Sequence, residues 1–203
     1  MGPAASFLIA EDDELVGRLL VRALSAHGET ELVTTVAGAR SALESRSFTA
    51  VVVDVGLPDG SGLDVLSDAR LQDPAVAALV VSGKVDARRL AVAHRLDASY
   101  LLKPVDTRQI DLFAVRTRSR LRERAAKVAR VAKRWAFEYG LTKAETSVLE
   151  LAAEGPSRAR LAVLRDVSPT TLKKQIQVLL AKTGDPSLDT AVNRLLRMVV
   201  DEG

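Results

Sequence analysis

The 203-residue chain is long enough for two modest hydrophobic cores, carries no cysteine and has a formal charge of +3, so disulfide frameworks and thiolate chemistry are left out. No apolar run approaches the roughly 18 residues of a membrane span, and Met1-Gly2-Pro3-Ala4-Ala5-Ser6 lacks the basic start and apolar core of an export signal; a cytoplasmic protein is expected. The small net charge hides an asymmetry, because residues 1–115 hold 11 Lys and Arg against 16 Asp and Glu while the remainder holds 18 against 10. An acidic half followed by a basic one predicts an anionic partner for the second, nucleic acid first among the options. With aromatic residues at 3%, few platforms exist for stacking unpaired bases.

Strand-length apolar runs alternate with helical patterns through residue 112. Phe7-Leu8-Ile9-Ala10 is followed by Leu15, Val16, Leu19, Leu20, Ala23 and Leu24 at helical spacing, with His27-Gly28 as the expected stop. A strand near Leu32 to Thr34, a helix near Gly38 to Ser45 and a strand ending at Asp54 come next, then the turn sequence Leu57-Pro58-Asp59-Gly60-Ser61-Gly62. Helices near residues 63–71 and 87–96 alternate with strands ending at Ser82 and Lys103, and a last helix starts at about Asp106. Five β-α units predict an α/β domain with a five-stranded parallel sheet, doubly wound by helices on both faces.

The runs end on chemically active residues: Glu11-Asp12-Asp13, Asp54, Ser82 and Lys103-Pro104. In a parallel sheet all of these emerge at the carboxyl edge, where open α/β folds place their ligand site. Carboxylates with one ammonium suit a hard cation such as Mg2+ together with a phosphoryl group, since oxygen ligands and a point-charge cation are what those species require. For Asp13 the alternative role is to cap the following helix, where a carboxylate is stabilised by the dipole.

From Arg116 to Arg134 the chain is strongly basic, yet Ala114, Leu121, Val128 and Trp135 recur seven residues apart with no Pro or Gly between them. The spacing fits a helical connector forming a coiled-coil seam between two protomers. A flexible tether fits as well, because Thr117 and Arg124 stand where the seam should be completed. Beyond it, four helices are predicted. Thr142-Lys143-Ala144-Glu145 is a capping box, Gly155-Pro156 ends that helix, Ser157 caps a second to about Leu164, and Ser168-Pro169 opens a third that stops at Thr183-Gly184. The fourth runs from about Leu188 to Val200. The second and third, joined by Arg165-Asp166-Val167, make a helix-turn-helix that exposes Thr171, Lys173, Lys174 and Gln177.

On these motifs, residues 6–113 resemble the receiver domain of two-component response regulators, and residues 138–198 resemble the LuxR-type helix-turn-helix domain. The resemblance implies a receiver over 1–113, a basic helical linker over 114–137 and a DNA-binding domain over 138–203. Glu11 and Asp12 match the family's acidic pair, Asp54 its phosphoryl acceptor, Ser82 its hydroxyl position, Tyr100 its switch aromatic, and Lys103-Pro104 its lysine and usually cis-linked proline. By that resemblance, Glu11, Asp12, Asp54 and the Gly56 carbonyl would hold Mg2+, Asp54 would accept the phosphoryl group beside Lys103, and Ser82 with Tyr100 would report its arrival. No other enzymatic activity is implied. Thr171, Lys173, Lys174 and Gln177 would meet phosphates and bases of double-stranded DNA, the partner would be a sensor histidine kinase, and the phosphorylated form would be a homodimer. There are departures: Asp166 replaces the usual turn Gly, Arg165 the preceding Leu, and Arg160 a common Glu. Two other output classes stay open on sequence grounds, a protein-interaction module with degenerate DNA binding and an RNA-binding antiterminator-type module.

Overall fold

In the computed structural model the described residues are 4–84, 86–155 and 158–201, and they divide into two compact units, up to Leu121 and from Arg122. The first is a single five-stranded parallel sheet in the order β2-β1-β3-β6-β7, with β1 Ala5–Ala10, β2 Gly28–Val33, β3 Ala50–Asp54, β6 Ala77–Ser82 and β7 Ser99–Leu102. A two-stranded antiparallel hairpin, β4 Gly56–Leu57 with β5 Gly60–Ser61, follows the central strand. Side chains alternate along each strand, so Phe7, Ile9, Val52, Leu79 and Val81 pack on α1 (Glu14–Ser25) and the start of α5 (Thr107–Glu138). Leu8, Val51, Val53, Ala78 and Val80 pack on the opposite layer, made of α2 (Val36–Ser45), α3 (Gly62–Gln72) and α4 (Ala87–Arg95). The doubly wound architecture is the one expected.

The edge strand departs from expectation. Gly28 is not a helix stop: α1 already ends at Ser25, and Gly28 is the first residue of β2, paired with Ala5. A Cβ at position 28 would lie 2.2 Å from the Ala5 carbonyl oxygen, so the strand approach admits no side chain there. The polar run Glu29-Thr30-Glu31 concealed the first half of this strand. Both glutamates are held by the Arg46 guanidinium at 2.9 Å, and Arg46 lies over the Phe48 ring.

In the second unit the end of α5 packs with α6 (Lys143–Ala152), α7 (Arg158–Leu164), α8 (Pro169–Thr183) and α9 (Leu188–Asp201) around Trp135, Leu149, Leu161, Leu179 and Leu195. The capping box of Thr142 and Glu145 is formed, Ser168 caps α8 with proline in its first turn, and Gly184 ends α8 at φ 73°. The cap assigned to Ser157 lies outside the described residues. Asp166 takes the left-handed turn geometry expected of it, at φ 50°.

Helix α5 is continuous, and its seven-residue spacing is spent within one chain. Ala114 and Leu121 pack into the sheet unit's core, while Val128 and Trp135 pack into that of the helical unit. Thr117, the position that spoils an intermolecular seam, is buried with its hydroxyl donating to the Phe113 carbonyl. Of the four residues of that spacing, Ala114, Val128 and Trp135 are buried within the chain and Leu121 partly so. Among the described residues no helix is long and apolar enough to cross a membrane.

Candidate functional site

Glu11 follows β1, Asp54 ends β3, Ser82 ends β6 and Lys103 follows β7, so parallel pairing delivers all four to one sheet edge. The order reverses between β1 and β3, the position at which open α/β sheets form their crevice. Lys103 Nζ donates to Glu11 Oε1 and to Asp54 Oδ2, each at 2.7 Å. Candidate ligand atoms of Glu11, Asp12 and Asp54 lie within 4.8 Å of one another. Gly56 opens the hairpin two residues after Asp54 and donates its N–H to Asp54 Oδ1 at 3.3 Å.

Charge and burial oppose each other here. Burial pushes the Glu11 carboxyl above its ordinary range and the Asp54 carboxylate adds to the rise, while the Lys103 hydrogen bond resists it. Lys103 is itself raised: desolvation works against its charge, but hydrogen bonds to Asp54 and Glu11 prevail. Glu11 Oε2 is buried with no hydrogen-bond partner. An orphaned buried carboxylate oxygen inside a cluster of three acids fits a hard divalent cation such as Mg2+, whose charge and oxygen preference meet both deficits.

The neighbouring predicted residues occupy distinct positions. Ser82 is buried, its hydroxyl donates to the Lys84 carbonyl at 3.0 Å, and the Tyr100 hydroxyl donates to the same carbonyl at 3.2 Å. Ser82 and Tyr100 thus meet on one backbone oxygen rather than on Asp54. The Lys103-Pro104 bond is cis. Asp13 caps α1 by accepting from the N–H groups of Val16 and Leu15, which lower its pKa; of its two readings, the cap is the one formed.

Two supports of the site were missed in the sequence. Asp59, read only as a turn residue, accepts from the backbone N–H groups of Val36 at 2.7 Å and Ala37 at 2.9 Å. Gly62 lets α3 abut β3, since a Cβ there would lie 1.9 Å from the Asp54 carbonyl oxygen. The PDGSG composition signalled a tight turn but nothing about a partner 22 residues upstream.

In the helical unit Thr171, Lys173, Lys174 and Gln177 are all exposed, whereas Leu172, Ile176 and Leu179 of the same helix are buried. Thr171, Lys174 and Gln177 are spaced by three, which sets them on one stripe away from the core. The Thr171 hydroxyl also bonds the Ser168 cap at 2.8 Å. A further contact escaped the sequence: Lys182 Nζ, 2.7 Å from Glu145 Oε2, donates also to the Gly140 carbonyl.

Comparison with known proteins agrees with this geometry. Residues 7–113 match the model of the response regulator receiver domain. The DNA-binding transcriptional activator DevR/DosR of Mycobacterium tuberculosis is 30% identical over 189 residues, covering 87% of each chain. The photosynthetic apparatus regulatory protein RegA of Rhodovulum sulfidophilum is 34% identical over 112 residues, or 54% of this chain and 61% of that protein. The chain thus spans less than two thirds of the length of RegA. Full-length FixJ from B. japonicum superposes with a TM-score of 0.53 at 26% identity over 98% of both chains. A parallel sheet in this order, an acidic pocket at its carboxyl edge and a family match over residues 7–113 place the chain among the response regulators, with an N-terminal receiver domain.

Proposed function

We propose that the chain is a phosphorylation-controlled, DNA-binding transcription regulator of a two-component system, with Asp54 as phosphoryl acceptor and α6 to α9 as a LuxR-type helix-turn-helix domain. The observation that carries the proposal is the Lys103 ammonium held 2.7 Å from both Glu11 and Asp54 at the sheet's carboxyl edge. A carboxylate oxygen of Asp54 attacks the phosphorus of a phosphohistidine or small phosphodonor, and the donor leaves with the bonding pair; a carboxylate nucleophile requires no general base. Lys103 Nζ, on the Asp54 carboxylate, lies where it can neutralise the incoming oxygens. Glu11, Asp12, Asp54 and the Gly56 carbonyl would hold Mg2+, which supplies further neutralisation of the transferred group. Release of the Ser82 hydroxyl from the Lys84 carbonyl toward the phosphoryl group would leave that carbonyl to Tyr100, biasing the surface of α4, β7 and α5.

The output half of the proposal is supported by the exposed polar stripe of α8, by the basic charge of the second half and by the overall similarity to DevR/DosR, a DNA-binding activator by its description. A sensor histidine kinase is the phosphodonor partner, double-stranded DNA the target, and a homodimer the phosphorylated form, since a two-fold protein engages two half-sites at high effective concentration.

Two measurements test this. With acetyl phosphate and Mg2+, the chain should gain one base-labile phosphoryl group and Asp54→Asn none; equal labelling refutes the acceptor. On DNA, Lys174→Ala should cost about 1 to 3 kcal/mol at a selected site and much less on random sequence. Equal weakening on both would remove α8 as a base reader and favour a protein-binding output.

A further inference from the structure

We propose that Asp59 is a positioning residue for the cation site, acting through the hairpin of Gly56–Leu57 and Gly60–Ser61; this rests on the assignment of the acidic cluster as a divalent-cation site. The hairpin is fixed at its base by pairing of Gly56 with Ser61 and by the bond from the Gly62 N–H to the Val55 carbonyl at 3.2 Å. Its base is also where Gly56 meets Asp54. Its tip is held from outside. The two oxygens of Asp59 divide between the first two N–H groups of α2, Val36 and Ala37, and Thr35 takes the next, that of Gly38. Each end of a helix leaves backbone groups without intrahelical partners. The amino end of α2 therefore demands acceptors, and a turn far along the chain supplies them.

The fit is close. Gly60 lies against Val36, where an added Cβ would stand 3.2 Å from Val36 Cγ2, and Leu57 is buried in the same core as Val36. Asp59 itself is exposed and its carboxylate oxygens accept from Val36 and Ala37 in α2, so its influence on the site passes through the hairpin. Without that anchor the tip is free and only the Gly56–Ser61 pairing and the Gly62–Val55 bond restrain the base, so Gly56 is held less firmly beside Asp54. A cation needs its oxygen ligands simultaneously, and residues that orient ligands typically change metal affinity by about 10- to 100-fold.

The experiment is a Mg2+ titration of the full chain by calorimetry, with amide hydrogen exchange of Gly56 and Leu57 read on the same samples. Asp59→Ala should weaken Mg2+ binding about 10-fold and speed exchange at both amides, and Asp59→Asn, which keeps one acceptor oxygen, should recover most of the affinity. Thr35→Ala serves as the structural control, since it removes a cap bond from the same helix end without touching the hairpin; its Mg2+ midpoint should equal that of the wild type. An unchanged midpoint in Asp59→Ala, or an equal loss in Thr35→Ala, overturns the positioning role while leaving the cation site intact. Failure of the wild type itself to bind Mg2+, or binding that Asp54→Asn does not weaken, overturns the cation site and the positioning role with it.

Discussion

Two lysine–carboxylate contacts of equal length, Lys103 with Glu11 and Lys182 with Glu145, occupy the two units of this molecule at 2.7 Å. Both carboxylates are buried, yet their environments displace the two pKa values in opposite directions. At Glu145 burial works to raise the pKa, but Lys182 and the Thr142 N–H more than offset it and the carboxyl is lowered. At Glu11 burial prevails, a second carboxylate adds to it, one oxygen stays without a partner, and the carboxyl is raised. Contact length is the same; what differs is first the burial that prevails at Glu11 and then the second carboxylate beside it. An ion pair whose donors and acceptors balance holds a fold together, while one with an unpartnered buried carboxylate oxygen is a candidate site for a cation.

The contrast predicts what removal of each lysine does. Lys103→Met should slow phosphoryl uptake from acetyl phosphate by about 100-fold or more, the usual scale for losing a charge stabiliser of a transition state, with the far-ultraviolet dichroism unchanged. A variant that labels at the wild-type rate would strip Lys103 of its assigned role. Lys182→Met should leave labelling untouched and destabilise the helical unit by about 1 to 2 kcal/mol, below the cost of breaking a fully buried pair because Lys182 is 30% exposed. Denaturant unfolding followed through Trp135 fluorescence reads this directly, since that ring is in the helical core.

The smallest effect is one of pH. Because the folded-state pKa of Glu145 is depressed, its contribution to stability is present above its ordinary value of 4.5 and is lost as pH falls through the folded value. Trp135-monitored stability should therefore decline below about pH 4.5 more steeply in the wild type than in Glu145→Gln. Parallel pH profiles would show that the pair contributes nothing through titration.

The difference between the units also governs how much could be read in advance. Strand ends carrying Glu11, Asp54, Ser82 and Lys103, the caps at Thr142 and Ser168, and the left-handed turn at Asp166 were all legible, because they follow from apolar period and local backbone preference. The second β-strand was half hidden, since an edge strand whose polar residues are satisfied by a distant arginine, Arg46, loses its apolar signature. Along α5 the seven-residue spacing was visible, but spacing cannot say whether the covering surface belongs to the same chain.

From the sequence by itself came the alternation of strands and helices, the set of reactive residues at one sheet edge and the charge division of the chain, all properties of neighbours a few residues apart. Only the tertiary structure decided that Lys103 bridges Glu11 and Asp54, that Asp59 closes the end of α2, that Lys182 neutralises Glu145 and that α5 spends its apolar face on two intramolecular cores. Each of those contacts joins residues far apart in the chain, and what selects them is burial of apolar surface together with the pairing of charges and backbone groups that the fold brings together, which no local preference encodes.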